Sequence, residues 1–546
     1  MINFLFITQA VAQEDWEDDD GGEIESAEVV IEKDRKIELP PASRSFEKIP
    51  PVPLNKLRTK LAYQFTSFDY QLKDLKPRIR VLTIKDQLLT KFYGNYVKAG
   101  FGNFGTPYLE GYFNNKRSKK HMYGLHVKHL SSSRGPVDGE NSRSAENHLK
   151  AGGKVFTEGA TLGGNIELYR NRYNFYGYDQ SQEVNADTLK QVFSRIYLEG
   201  TIETDKPDKG FAFRLTPSFN LLKDNFNARE NEFGLGLGTG FKLNDEIKFD
   251  LTGKAYISKR TDGSSISRNL FNVKPRVVFE VGDLTIRAGI NFVYENDTVP
   301  NQSNTHIYLS GEASYQIQQN FTVYGGIDGD MQRNTLQSFV NENPYLKPEI
   351  VLFNTNKEIE LYGGIRGSIG NILSVNTGIS LGDYKNLPFF VNDVIDTTKF
   401  DVIYDFGSVV RFNYFGEVGY DKLGAFRGGA RFDFYAYKTN LIESAWHRPR
   451  YKLSLSGSYN IFDKILLSTD FYAMGGIKIM NFRTGEEIKL DPIGDMSFKI
   501  DYLFSKQVSS FLSFNNIFSK EYERYLNYPS RGLMVMLGFT YAFDKL

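Results

Sequence analysis

From about Phe92 to the C-terminus, apolar and polar positions alternate every second residue. Phe211, Phe213, Leu215, Phe219 and Leu221 fall on one side of such an alternation, with Ala212, Arg214, Thr216, Ser218 and Asn220 on the other. Leu284, Ile286, Ala288, Ile290, Phe292 and Tyr294 oppose Thr285, Arg287 and Asn291 in the same way. Val410, Phe412, Tyr414, Val418 and Tyr420 oppose Arg411, Asn413 and Glu417. Side chains of a strand point to opposite faces in turn, so a period of two predicts strands with one apolar and one polar face. The segments run to about 9–13 residues, the length that a tilted strand needs to cross a bilayer. Strands of a soluble sandwich average only about 5–6 residues.

Turn-forming residues separate the segments at Asn244-Asp245, Gly282-Asp283, Gln318-Gln319-Asn320 and Gly370-Asn371. Alternate separators are longer and polar, as at Ser131–Ser142 and Asn171–Thr188. Short turns on one rim and long loops on the other are the arrangement of outer-membrane barrels. Lipid offers backbone N–H and C=O groups no partner, so a spanning sheet must close on itself, and an antiparallel ring closes with an even number of strands. The expected fold is all-β: a large antiparallel transmembrane β-barrel of about 22 strands over residues 92–546, with a short non-barrel N-terminal region.

That N-terminal region divides further. Residues 1–12 read as a signal peptide: Ile2 to Ile7 is apolar, and Ala10-Val11-Ala12 has the small-x-small form of a cleavage site. Residues 13–57 read as a periplasmic tail. Eight acidic residues and no basic one lie between Glu14 and Glu25, and Pro40, Pro41, Pro50, Pro51 and Pro53 favour an extended linker. Residues 58–91 are a pre-barrel segment, with strands or a small helical piece around Ile84 to Phe92 as the alternatives.

Composition narrows the function. The 66 basic and 66 acidic residues cancel, which argues against nucleic acid as the main partner. The absence of cysteine excludes disulfides, thiolate metal sites and a cysteine nucleophile. No run of 18 apolar residues offers a transmembrane helix. His121, His126 and His129 do not form a metal site on a strand, because His126 points away from the other two, and His121 and His129 would lie about 26 Å apart at ~3.3 Å per residue. The acidic run Asp18 to Glu23 lacks the ligand spacing of an EF-hand. Gly234-Leu235-Gly236-Leu237-Gly238 lies inside an alternating strand and is not a phosphate loop. No catalytic motif is present, so neither enzymatic activity nor a cofactor is expected.

At the C-terminus, Leu533, Val535, Leu537, Phe539, Tyr541 and Phe543 form an unbroken apolar row. It resembles the terminal strand that outer-membrane proteins present to the barrel assembly machinery. Ahead of it stand Asn515, Asn516, Phe518 and Tyr522 in Asn-Asn-Ile-Phe-Ser-Lys-Glu-Tyr, followed by Tyr-Pro-Ser and Arg531-Gly532. Further upstream, Asn343, Pro344, Leu346, Lys347, Pro348 and Glu349 form Asn-Pro-Tyr-Leu-Lys-Pro-Glu before a strand with Glu-Leu. Both stretches resemble the barrels of TonB-dependent receptors, and the aromatic and glycine usage resembles such proteins from Bacteroidetes. The resemblance covers roughly residues 92–546. It implies outer-membrane localisation and transport of a nutrient or other solute, with TonB coupling as the family's energy source. About 80 residues between the expected cleavage site and the first strand are too few for that family's plug domain, and Val29 to Ile31 is the nearest thing to a docking strand.

The polar strand faces, carrying Arg214, Arg287, Arg411, Glu417, Arg427, Arg431 and Asp433, are expected to line the lumen. Mixed signs favour a salt-bridged wall over a selective constriction. Expected partners are outer-membrane lipid, the assembly machinery and a periplasmic protein reached through residues 13–57. The alternative function is a non-transporting scaffold that anchors such a periplasmic or surface partner.

Overall fold

The computed structural model describes residues 94–115, 118–181, 183–204, 211–297, 304–422, 425–481 and 485–543. The signal-peptide, tail and pre-barrel readings of residues 1–91 lie outside the described residues.

Twenty-two strands pair into one antiparallel ring. The first quarter is β1 (Asn95–Gly102), β2 (Thr106–Asn114), β3 (His121–Ser132), β4 (Ser144–Phe156), β5 (Ala160–Asn174) and β6 (Lys190–Thr204). It continues with β7 (Phe211–Lys223), β8 (Arg229–Lys242), β9 (Ile247–Asp262), β10 (Ser264–Val281), β11 (Leu284–Glu295), β12 (Thr305–Gln318) and β13 (Phe321–Gln332). A helix, α1 (Leu336–Glu342), interrupts the series before β14 (Thr355–Ile369) and β15 (Leu373–Lys385). The hairpin β16 (Leu387–Asn392) and β17 (Phe400–Asp405) stands outside the ring. The wall resumes at β18 (Val409–Lys422), β19 (Phe426–Lys438), β20 (Tyr451–Ile461) and β21 (Ile465–Gly475). After the hairpin β22 (Lys478–Asn481) and β23 (Glu486–Lys489) come β24 (Ile493–Leu503) and β25 (Val508–Asn515). A small pair, β26 (Glu523–Tyr525) and β27 (Tyr528–Pro529), precedes the last strand, β28 (Met534–Phe543).

Closure is made by β28 against β1, from Asn95 opposite Phe543 to Gly102 opposite Met536. Among the described residues no wall strand is left with an open edge, which a lipid environment would penalise by several kcal/mol per unpaired group. One side chain in two points outward, and through the middle of the wall most of those are apolar: Leu537, Phe539 and Tyr541 on β28 are each more than half exposed, as are Ile307 and Leu309 on β12. The same parity gives Ile286, Ile290, Phe292 and Tyr294 outward on β11, while Asn291 faces inward and is fully buried. Exposed apolar rows around a whole ring are a lipid-facing surface, and a single-chain barrel of even strand number is the outer-membrane architecture. Among the described residues no helix is long and apolar enough to cross a membrane.

The Gly-x-Gly run of β8 is part of this wall. Gly234 faces inward, where a Cβ would come within 2.4 Å of Ser218 Oγ and 3.4 Å of the Tyr256 ring. Glycine there leaves room for the packed aromatic.

The two rims differ as expected. Turns such as Gly282-Asp283 and Gln319-Asn320 close one rim in two residues. The other rim carries the segments 175–189, 333–354, 386–408, 439–450, 476–492 and 516–533. By the usual asymmetry this long-loop rim faces the cell exterior. Most of the fully buried apolar side chains of the described residues lie in these loops, not between strands.

Candidate functional site: the capped mouth and the inner wall

Loop 333–354 begins by pinning itself to the inside of the wall. Arg268 of β10 faces the interior and holds Asp297 through two hydrogen bonds of 2.8 and 2.7 Å. The same guanidinium donates to the Asn334 carbonyl at 2.7 Å and to Asn354 Oδ1 at 3.0 Å, so one side chain grips both ends of the loop. Asn354 in turn donates to Glu295 at 2.6 Å. Arg260 of β9 donates to the Ile350 carbonyl at 2.5 Å and pairs with Asp262. Asp262 also accepts the Glu349 N–H at 3.0 Å. Arg333 pairs with Glu232, and the N–H of Leu336 reaches Glu230. Glu230, Glu232, Arg260, Asp262, Arg268 and Glu295 project from the inner face of β8 to β11, so the loop lies inside the mouth. Burial is the first influence on Arg333, and it draws the guanidinium down to about 10.

Helix α1 is short and locally well specified. Thr335 caps it: its side chain accepts the Ser338 N–H, and Ser338 returns a bond to the Thr335 N–H. Asn343 ends it, giving its N–H to the Phe339 carbonyl at 2.7 Å and accepting the Tyr345 N–H on its side chain at 3.0 Å. Pro344 cannot continue the helix. Leu336, Phe339 and Val340 are buried in the loop core.

Three loops rooted far apart meet over α1. The roots of 175–189, 333–354 and 516–533 are separated by eight, eight and six strands around the ring of 22. Tyr345 stacks on Tyr528 with centroids 3.7 Å apart, and Tyr176 packs against both. Tyr525 contacts Phe390, Phe400 and His447. Its hydroxyl donates to the Glu342 carbonyl, and that of Tyr528 to the Thr398 carbonyl. Burial, followed by neighbouring hydroxyls, pushes Tyr345 well above the usual phenol range, so the cluster stays neutral. The hairpin β16–β17 joins by backbone: Lys347 N–H to Phe400 O and Phe400 N–H to Tyr345 O, each at 2.9 Å. Lys347 Nζ is clamped by Asp393 at 3.0 Å and Asp401 at 2.5 Å. Partial burial opposes charge on this lysine, but the two carboxylates outweigh it and raise its pKa.

His447 sits fully enclosed beneath Tyr525 and Phe400. Nδ1–H donates to the Phe390 carbonyl at 2.7 Å. Burial first, and the Arg524 and Arg448 guanidiniums after it, drive its pKa down to about 3 against the Phe390 bond. An unfolded loop takes up the proton near 6.5, the folded one only near 3. The cap stability tied to this group is therefore complete above about pH 6.5 and is lost as the pH falls towards 3. Between pH 7 and pH 5 the loss is about 2 kcal/mol. Protease cleavage of loops 333–354 and 516–533 in the intact barrel is expected to rise from pH 7 to pH 5, and His447→Phe to flatten that dependence. An equally steep dependence in the variant would assign it to another group.

The residues singled out in the sequence divide between cap and wall. Asn343, Pro344, Leu346, Lys347, Pro348 and Glu349 run through the centre of the cap, with Leu346 in its apolar core. Asn515 ends β25, and Asn516 ties down the last loop by donating to the Lys520 and Arg531 carbonyls at 2.8 and 2.6 Å. Tyr522 donates to Asp495 at 2.6 Å. Arg531 reaches across the closure seam to Ser144 Oγ at 2.9 Å, and Gly532 lies beside Ser519. Phe518 is half exposed. Val535, Leu537, Phe539, Tyr541 and Phe543 lie on β28, with Leu533 just before it.

On the inner face Arg214 pairs with Glu203, Arg287 with Glu312, and Arg411 with Glu360. Arg431 bridges Glu417 and Asp433, and Arg427 reaches Asp421. Lys274 and Lys357 share Asp328. Cation and carboxylate thus come together around the ring. His126 and His148 face inward edge to face, 5.3 Å apart, and His126 bonds Glu110 at 3.1 Å. His129 is on the outer face with Asn147. Among the described residues no group of three or more His, Asp or Glu could hold a metal.

Neither a family model nor a curated protein matches the sequence. Solved structures do match the fold. The FrpB iron transporter from Neisseria meningitidis superposes with a TM-score of 0.65 at 10% identity, over 83% of this chain and 82% of that one. The siderophore receptor PirA from Acinetobacter baumannii gives 0.63 at 12% identity, over 84% and 81%. The ferric-catecholate import receptor Fiu from E. coli gives 0.63 at 11% identity, over 83% and 82%. The chain shares the barrel fold of TonB-dependent iron and siderophore receptors. At these identities the likeness concerns the fold alone.

The sequence pattern missed the anchors Arg260, Arg268 and Arg333, the tyrosine cluster and His447. Parity alone puts Arg260 and Arg268 on the polar face. Nothing local marks Tyr525 as the partner of a helix 183 residues earlier.

Proposed function

We propose that this protein moves a nutrient solute across the outer membrane, through a charge-lined lumen whose outer mouth is gated by the cap. The observation that carries the reading is the inward-folded loop 333–354: a scaffold has no need to anchor a loop by buried ion pairs inside its own mouth. The paired charges of the inner wall, Arg214, Arg287, Arg411, Glu417, Arg427, Arg431 and Asp433 among them, line the path. Charge set beside counter-charge on neighbouring strands keeps the wall rigid while leaving it wettable. Asn343 to Glu349 and Asn515 to Gly532 hold the gate. Neighbours described as an iron transporter and as siderophore receptors make bulky ferric chelates the first solutes to try. Residues 13–57 supply the segment through which a periplasmic protein couples to the barrel, and the row Leu533 to Phe543 is the signal for assembly.

A strain lacking the chain is expected to take up at least one scarce nutrient, tested first as ferric chelates, more slowly than the parent, with recovery on complementation. Full chain and a form lacking residues 13–91 are compared alongside in planar bilayers. Wild-type uptake of every solute, together with silent bilayers for both forms, would overturn the proposal.

A further inference from the structure

Most cations on the inner wall are paired with carboxylates, as Arg214 is with Glu203 and Arg287 with Glu312, but a row on the outer wall is not. Neighbouring strands place Leu109 beside His129, His129 beside Asn147 and Asn147 beside Arg170. The row continues through Ser194, Lys223, Arg229 and Thr261 to Ser265 on β10. Residues that pair across strands share a face. This face is the outer one, because Leu109 is exposed on it and, further down the same strands, so are Leu168, Ile196, Phe219, Phe233 and Ile257. Arg170, Lys223 and Arg229 are exposed. Among the described residues none of the three has a carboxylate within ion-pair distance, and the row itself holds no acidic residue. Lys259, also exposed, lies two residues below Thr261.

The row stands at the long-loop end of β3 to β10, at the level where the outer leaflet's headgroups begin. With strands about 4.8 Å apart, Arg170 lies two strands, about 10 Å, from Lys223, and Arg229 is next to Lys223. Two cationic positions at that spacing, directly above an apolar sheet surface, match an amphiphile with two anionic groups on one headgroup. Arginine forks and lysine points are both phosphate-binding chemistries.

We propose that the outer face of β5 to β8 binds a phosphorylated lipid of the outer leaflet: Arg170 takes one phosphate, Lys223 and Arg229 the other, and the acyl chains lie over Leu168, Ile196, Phe219 and Phe233. The test uses the full chain purified in detergent and titrated with diphosphoryl lipid A, with bound lipid counted by native mass spectrometry. The triple variant Arg170→Gln/Lys223→Gln/Arg229→Gln is expected to weaken binding at least about tenfold, and Arg170→Lys/Arg229→Lys to retain most of it. Monophosphoryl lipid is expected to bind more weakly than diphosphoryl lipid. A heat-modifiability gel confirms folding of each variant, and the single variants Arg170→Gln and Arg229→Gln are read in its place should the triple not fold. Unchanged lipid binding in the glutamine variants overturns the proposal. So does complete displacement of lipid by an equal concentration of inorganic phosphate, which would make the row a site for free anion.

Discussion

Replacing Phe400 by alanine is expected to release the cap while leaving the barrel wall folded. Phe400 is wholly buried at the start of β17, where its backbone bonds both Tyr345 and Lys347 and its ring contacts Tyr525, Tyr528 and His447. Truncating a buried phenylalanine costs about 3–5 kcal/mol, the lost transfer energy plus the cavity left behind. Between their roots the loops meet through this aromatic cluster and cannot absorb that loss, whereas the wall, paired strand to strand through its backbone, does not share it. Amide exchange in 336–346, 387–405 and 523–529 is expected to accelerate by two to three orders of magnitude, following from that energy at about 1.4 kcal/mol per tenfold. Exchange in β9 to β12 stays unchanged. Equal protection of the cap in Phe400→Ala and the parent would show that the loops are held by something other than this cluster.

The second large effect is expected at Arg268. Its side chain and that of Asp297 are both almost completely enclosed. Removing one member of a buried pair strands the other charge and costs about 3–5 kcal/mol. Arg268→Met also removes the bonds to Asn334 and Asn354, so both ends of loop 333–354 come loose. The expected result is protease cleavage within 333–354 in intact cells, which the parent resists. Adding Asp297→Asn is expected to restore part of the resistance, because the amide no longer needs a counter-charge. A double variant as fragile as the single one would place the effect in the lost loop bonds and not in the stranded carboxylate. Both substitutions act on the gate, so each is expected to change solute uptake without altering the amount of heat-modifiable barrel.

The wall was readable because its physics is local. Lipid on one side and water on the other repeat every two residues, so Phe211, Leu215 and Phe219 announce a face without reference to any other strand. The turns at Gly282-Asp283 and Gly370-Asn371 announce themselves in the same way. Helix α1 escaped because seven residues give no helical period to see. Its Thr335 and Ser338 cap and its Asn343-Pro344 stop are signals only once a helix is suspected. The outer row from His129 to Thr261 also escaped, since its members lie on seven separate strands and are neighbours only through register.

Parity, closure and the inward direction of Arg260, Arg268 and Arg411 follow from the order of residues alone, since a strand turns each side chain by half a revolution whatever surrounds it. Which carboxylate each arginine meets, that loops rooted eight strands apart share one aromatic core, and that loop 333–354 turns into the mouth were decided by the tertiary structure. Those contacts join residues up to several hundred positions apart, and their energy exists only once the ring has closed and brought the loop roots together.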